Sequence, residues 1–201
     1  VLNNIDFNVE NISGEEIKVW WWTYRYKVSL KDDNGDLITD FNSRVYMVGN
    51  PLFIETQTPY VELVWWEAEI EFRTKTLAGQ SIPIEFQVEW LNRIIQENID
   101  VLPEAPVKID LLLSQNKIEA SLTSEATLNV ELKDRYNNLV FNDDTTNTQI
   151  EILDQYKHII ISSPLNQTVS GWKTSYILSA TKNPWLAYFK VHANWLENNS
   201  F

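Results

Sequence analysis

The 201-residue chain contains no cysteine, five glycines, one methionine and two histidines. Without cysteine there is no disulfide framework and no thiolate metal site, so each domain must hold together through its apolar core alone. That usage fits the cytosol and a cysteine-poor bacterial surface protein equally. No apolar run approaches the roughly 18 residues that cross a bilayer, so no membrane insertion is expected in this segment, and no signal-peptide pattern is visible. The two histidines, His158 and His192, lie in no HExxH or paired-ligand spacing and beside no nucleophile motif. Zinc and triad chemistry therefore have no foothold, no enzyme activity is expected, and no cofactor is implied. Positive charge is also scarce: 16 Lys and Arg stand against 28 Asp and Glu, for a net charge of −12 and a pI near 4.6. That sign repels phosphate backbones and argues against a nucleic-acid partner. Because the charges are interspersed rather than blocked, they read as a solvated surface.

What the chain does have is an internal repeat. KVSLKDDNGDLI at 27–38 aligns with NVELKDRYNNLV at 129–140, an offset of 102. VWWEAEIEF from Val64 aligns with SGWKTSYIL from Ser170 at 106, and VEWLN at 88–92 with ANWLE at 193–197 at 105. Drift of a few residues between blocks is what loop insertions produce. A period of about 100 residues is too long for a solenoid unit and fits a whole immunoglobulin-sized sandwich. Two domains are predicted, residues 1–102 and 107–201.

Within each copy, apolar residues alternate with polar ones at the strand period of two. Tyr24, Tyr26, Val28 and Leu30 form one face; Ala68, Ile70 and Phe72 a second; Ile84, Phe86 and Val88 a third. The matching sets in copy two are Ala126, Leu128, Val130 and Leu132; Thr174, Tyr176 and Leu178; Phe189, Val191 and Ala193. No stretch sustains a helical period over ten residues. The fold class predicted is all-β: two tandem antiparallel sandwiches, each sheet with one buried face. Between the copies, Pro103 to Pro106 reads as a short stiff linker. Phe201 falls on Gln96 at the offset of 105, so copy two is expected to lack its closing strand and the natural chain to continue.

The nine tryptophans (Trp20, Trp21, Trp22, Trp65, Trp66, Trp90, Trp172, Trp185 and Trp195) all fall at predicted turns rather than on the alternating apolar faces. Trp65–Trp66 fills a two-residue hairpin gap where residues of positive φ belong, and its counterpart is Gly171–Trp172. Bulky residues at positive φ are outliers. Average usage of about 7% would put roughly 14 glycines in this length; the five glycines and nine tryptophans together make 14. Two readings follow. In one, the tryptophans are glycines encoded by UGA and translated with a code that reads UGA as tryptophan. In the other, Trp20, Trp21, Trp22, Trp65 and Trp66 are an exposed aromatic surface for sugar or membrane.

Asp32, Asp33 and Asp36 crowd carboxylates into the turn DDNGD and are weak calcium candidates. The spacing and the distal Glu of an EF-hand loop are absent, and Asn-Gly between strands makes a turn first. Asn142, Asp143, Asp144 and Asp154 are further acidic loop residues, and Asn11, Asn166 and Asn198 open glycosylation triplets that are common by chance.

With glycine imagined at the tryptophan positions, a strand ending in KVSLKDDNGDLI, a Gly-Gly hairpin into EAEIEF, IPIEFQVEWLN and the Glu104–Ala105–Pro106 exit resemble bacterial immunoglobulin-like repeats of the invasin and intimin kind. The resemblance covers nearly all of both copies. Copy two departs from it at Asn138, where the family often has Asn following Gly. The resemblance implies stalk modules of a bacterial cell-surface or extracellular protein, partnered by neighbouring repeats of the same chain, with host or cell-surface ligands bound through other domains. A carbohydrate- or ligand-binding accessory module of a large extracellular protein is the second class.

Overall fold

The computed structural model describes residues 5–20, 22–38, 43–64, 67–91, 93–153, 158–183, 186–194 and 196–200. The chain divides into two compact units, Val1–Leu102 and Pro103–Phe201. The described residues of both are built from strands and turns, without a helix.

Unit 1 contains β1 (Asp6–Asn11), β2 (Thr23–Lys31), β3 (Arg44–Gly49), β4 (Ile54–Thr56), β5 (Tyr60–Glu62), β6 (Glu67–Thr74), β7 (Gly79–Val88) and β8 (Ile94–Val101). They form two antiparallel sheets of order β1-β2-β6-β4 and β5-β3-β7-β8. Unit 2 contains β9 (Lys108–Leu113), β10 (Glu125–Lys133), β11 (Asn147–Ile152), β12 (Ile159–Ile161), β13 (Asn166–Thr168), β14 (Lys173–Ala180), β15 (Phe189–Ala193) and β16 (Leu196–Ser200). Its sheets are β9-β10-β14-β12 and β13-β11-β15-β16, the same order strand for strand.

The register follows from the alternation. Tyr24, Tyr26 and Val28 lie opposite Phe72, Ile70 and Ala68 in unit 1, and Ala126, Leu128 and Val130 lie opposite Leu178, Tyr176 and Thr174 in unit 2. Every residue of the six apolar face sets is buried. A one-residue slip would turn each set to solvent, so burial fixes the pairing. On the outer face of β2 and β6, Arg25 and Lys27 form ion pairs of 2.7 Å with Glu71 and Glu67.

The two cores are filled differently. In unit 1, Tyr24 and Tyr26 stack on Phe72 at 5.6 and 6.0 Å, and Tyr26 meets Phe86 at 5.2 Å. In unit 2 the position of Tyr24 is held by Ala126, and the largest fully buried side chain among the described residues is Tyr176, whose hydroxyl lies 2.7 Å from that of Thr148.

The expectation that copy two lacks its closing strand is corrected. β16 pairs with β15 from Ala193↔Leu196 to Phe189↔Ser200, in the place that β8 takes beside β7. The turn explains the difference. Residues 88–93 separate the paired Gln87 and Ile94, whereas only 193–196 separate the paired His192 and Glu197. A tighter hairpin, with Asn194 at φ 54°, brings the strand back earlier than a constant offset implies.

Candidate functional site

The acidic turn of unit 1 is organised by Asp32. Its Oδ1 accepts the backbone N–H groups of Asn34 at 2.8 Å and Asp36 at 3.0 Å, and its backbone N–H donates to the Asp36 carbonyl at 2.8 Å. Gly35 supplies the left-handed residue at φ 84°. Asp33 and Asp36 point to solvent. The Asp32 carboxylate is thus committed to closing the turn between β2 and the bridge Lys31↔Leu37. Among the described residues no group of three or more His, Asp or Glu side chains is arranged to hold a metal ion.

Unit 2 repeats the device in a tighter form. Asp134, only 2% exposed, accepts the N–H groups of Tyr136 and Asn138 at 2.9 Å through Oδ1. Its Oδ2 accepts the Asn138 side-chain amide at 2.9 Å and the backbone N–H of Glu104 at 3.2 Å. Asn137 takes the left-handed conformation, φ 70°, that Gly35 takes in unit 1, in keeping with Asn as the non-glycine residue that best tolerates it. Glu104 also pairs with Arg135 at 2.6 Å. The role of Asp134 in holding the connector was not legible in sequence, because the contact spans 30 residues.

Among the acidic loop residues of unit 2, Asp143 is a turn anchor. It accepts N–H bonds from Thr145 and Thr146 at 2.9 Å and a hydroxyl bond from Thr146 at 2.6 Å. Burial pushes its carboxyl up, but the Thr146 hydroxyl and the two amides outweigh this and hold it below the usual carboxylate range. Asp144 accepts the Gly171 N–H at 2.7 Å. Asp154 lies outside the described residues.

The histidines sit on structural surfaces. His192 on β15 faces Glu197 at 3.2 Å and Glu151 at 3.5 Å. Lys190 pairs with the same Glu197, and their hydrogen bond lowers the Glu197 carboxyl below its ordinary value. His158 carries a backbone bond, its carbonyl accepting the Thr181 N–H.

The tryptophans that are described (Trp20, Trp22, Trp90 and Trp172) all lie between strands. Trp20, Trp22 and Trp90 are 45, 54 and 39% exposed. Trp22 shares a shallow depression of about 270 Å³ with Glu15, Glu16, Lys18 and Tyr24. Burial pushes the Tyr24 phenol up, and its oxygen accepts the Lys18 N–H while its proton goes to the Glu16 carbonyl. Trp20 and Trp172 have φ of 80° and 101°, the left-handed region also taken by Gly14, Gly35 and Gly171. Trp21, Trp65, Trp66, Trp185 and Trp195 lie outside the described residues.

Known structures place this architecture. The chain is similar to the FdeC adhesin of Escherichia coli, with TM-score 0.60 and 11% identity over 95% of this chain and 60% of that one. The shared fold is an immunoglobulin-like β-sandwich. The adhesin InvE of Yersinia pseudotuberculosis also matches, at 13% identity over all of this chain and 58% of that one, TM-score 0.44. A β-glycosidase from Bacteroides vulgatus matches at 9% identity over 98% of this chain but 24% of that one, TM-score 0.48. The chain spans about 60% of the length of each of these two adhesin chains. No protein-family model matches the chain, nor does any curated protein.

Proposed function

We propose that the chain supplies two tandem, non-catalytic immunoglobulin-like repeats to a bacterial cell-surface or secreted adhesin-like protein, where they act as a spacer beside neighbouring repeats. The observation that carries this reading is that one strand order and one core register occur twice in succession. Such repetition supplies length, while recognition of a host or cell-surface ligand is left to other domains. Deleting one unit from the parent protein should shorten its reach and leave recognition elsewhere intact. Loss of ligand binding by the purified two-unit chain on deletion of one unit would overturn the spacer reading. The alternative, a carbohydrate- or ligand-binding accessory module, is favoured by the exposure of Trp20 and Trp22. It expects the purified chain to bind a sugar and Trp22→Ala to lose that binding.

Reading the nine tryptophans as glycines encoded by UGA is supported by the backbone at Trp20 and Trp172, though not at Trp22 and Trp90, which do not have positive φ. Trp20 and Trp172 occupy conformations in which a Cβ is strained, and glycine takes them at little steric cost. In that case the gene carries UGA at positions 20–22, 65–66, 90, 172, 185 and 195, GGN at the five glycines, and peptides of the natural protein show glycine masses at the nine sites. UGG codons there end the idea and promote the exposed tryptophans to candidate sugar-stacking residues.

A further inference from the structure

Just before β3, unit 1 carries a buried hydroxyl with nothing to bond. Ser43 is 5% exposed, and its Oγ finds no hydrogen-bond partner among the described residues. Its backbone is satisfied, since the Ser43 carbonyl accepts the Leu63 N–H at 2.8 Å. An unsatisfied buried hydroxyl is destabilising, so its presence calls for a cause. Buried Ser43 and Leu63, half-buried Arg44 and exposed Glu62, Val64 and Glu89 line a depression of about 410 Å³. That volume lies within the range that small ligands occupy.

The strands fix the charges around it. Arg44 on β3 lies opposite Glu62 on β5, and its carbonyl accepts the N–H of Glu89, the residue after β7, at 2.9 Å. The Arg44 guanidinium stands 4.6 Å from the Tyr60 ring centre. A hydrogen bond with Tyr46, and the nearby Tyr60 and Glu89, push it above its ordinary value, so it stays charged. Unit 2 closes the same place on itself. Thr148 lies opposite Ala193 as Val45 lies opposite Val88, so Thr146, Asn147, Thr168 and Asn194 hold the positions of Ser43, Arg44, Glu62 and Glu89. There the Thr146 hydroxyl donates to Asp143 at 2.6 Å and accepts from the Asn194 amide at 3.5 Å, and the Thr168 hydroxyl donates to Asn147 at 2.9 Å. Unit 1 thus has three charges and an unpartnered hydroxyl where unit 2 has neutral side chains whose bonds are already made.

We infer that this depression in unit 1 is a binding site for a neutral sugar ring. Glu62 and Glu89 repel an anion and Arg44 repels a cation, whereas a sugar hydroxyl both donates and accepts. The two carboxylates accept from ring hydroxyls and the guanidinium donates to them, bonds strengthened by the charges. Ser43 does either, and Leu63 and Val64 offer apolar surface to the ring carbons. The inference rests on the carbohydrate-binding reading and gives it a site. None of the lining residues is a tryptophan, so the site stands whether the nine positions carry tryptophan or glycine.

The test titrates the purified chain with glucose, galactose, mannose and N-acetylglucosamine, and with glucosamine and glucuronate as charged counterparts, and follows amide signals by NMR. At least one neutral sugar should shift Ser43, Arg44, Leu63 and Glu89 saturably, and bind more tightly than both charged ones. Ser43→Ala should weaken that sugar about fivefold and Glu89→Ala about tenfold. Because Ser43 gives up no bond within the chain, Ser43→Ala should melt no lower than the parent. Unchanged affinity in both variants overturns the proposal, as does a lower melting temperature for Ser43→Ala, which makes the hydroxyl structural. Tighter binding of glucosamine or glucuronate overturns it too. Binding that Trp22→Ala abolishes and Ser43→Ala leaves intact overturns this site but keeps the carbohydrate-binding reading; saturable binding of none of these sugars overturns both.

Discussion

Replacing Trp172 by glycine should stabilise the protein, although it removes the largest side chain of its hairpin. Ser170 and Lys173 face each other across the turn, with N–H to O distances of 3.1 and 3.5 Å, and Gly171 and Trp172 lie between them at φ 59° and 101°. Positive φ at both central residues is the signature of the type I′ turn, which the right-handed twist of strands selects. Holding a non-glycine residue there costs about 1–3 kcal/mol. Glycine removes that cost but gives back about 0.5–1 kcal/mol through the freedom of the unfolded chain. It also loses the contact of the Lys173 ammonium, 4.9 Å from the Trp172 ring centre, about 0.5 kcal/mol at a partly exposed site. The Trp172 carbonyl keeps its bond from the Leu132 N–H, 3.0 Å, whichever side chain is present. The balance is a gain on the order of 1 kcal/mol for Trp172→Gly. Trp172→Ala retains the backbone strain and loses the ring, so it should be less stable than the glycine variant by about 1–2 kcal/mol. Urea unfolding measures this as a shift of the midpoint at constant slope. A glycine variant less stable than either the alanine variant or the parent chain would refute the reasoning.

Three other outcomes are expected. Asp134→Ala should destabilise unit 2 by about 2–3 kcal/mol, because buried amide donors lose a charged acceptor; Asp32→Ala at the more exposed turn of unit 1 should cost about 1 kcal/mol or less, as chemical unfolding of each unit will show. Tyr24→Phe should cost about 1–2 kcal/mol and speed amide exchange at Lys18, whose N–H loses its acceptor. The Asp143 carboxyl is lowered in the folded state, so its contribution is complete above the ordinary carboxylate value of about 3.9 and fades as pH falls through the lower folded value. The stability difference between the parent chain and Asp143→Asn should therefore be largest above about pH 5 and shrink below about pH 4; a difference that grows on acidification contradicts the assignment.

The long strands were legible because each carries three or four alternating apolar residues, and Val28 and Val130 are buried where alternation puts them. The three-residue strands β4, β5, β12 and β13 were not, since a period of two has no room to declare itself in three positions. β16 was hidden by a tighter hairpin that broke the constant offset. The turn role of Asp32 was readable from Asn-Gly beside it, whereas the hold of Asp134 on Glu104 and of Tyr24 on the loop after β1 depends on partners brought together by folding. Ala126 looked like one more small member of an apolar face; only its position opposite Leu178 reveals the volume it leaves unfilled.

The bonds at the connector also set how the chain meets tension. Leu102 is held by unit 1 through both its N–H and its carbonyl, and Glu104 is held by unit 2 through its N–H and its carboxylate. Only Pro103, which has no N–H to donate, separates these two anchored residues. A pull along the chain therefore finds little slack in residues 102–104 themselves. It loads the bridge at Leu102 and the Asp134 and Arg135 contacts of Glu104 before it reaches β9, so the first event under force would be release of these short-range clasps, ahead of the unfolding of either core.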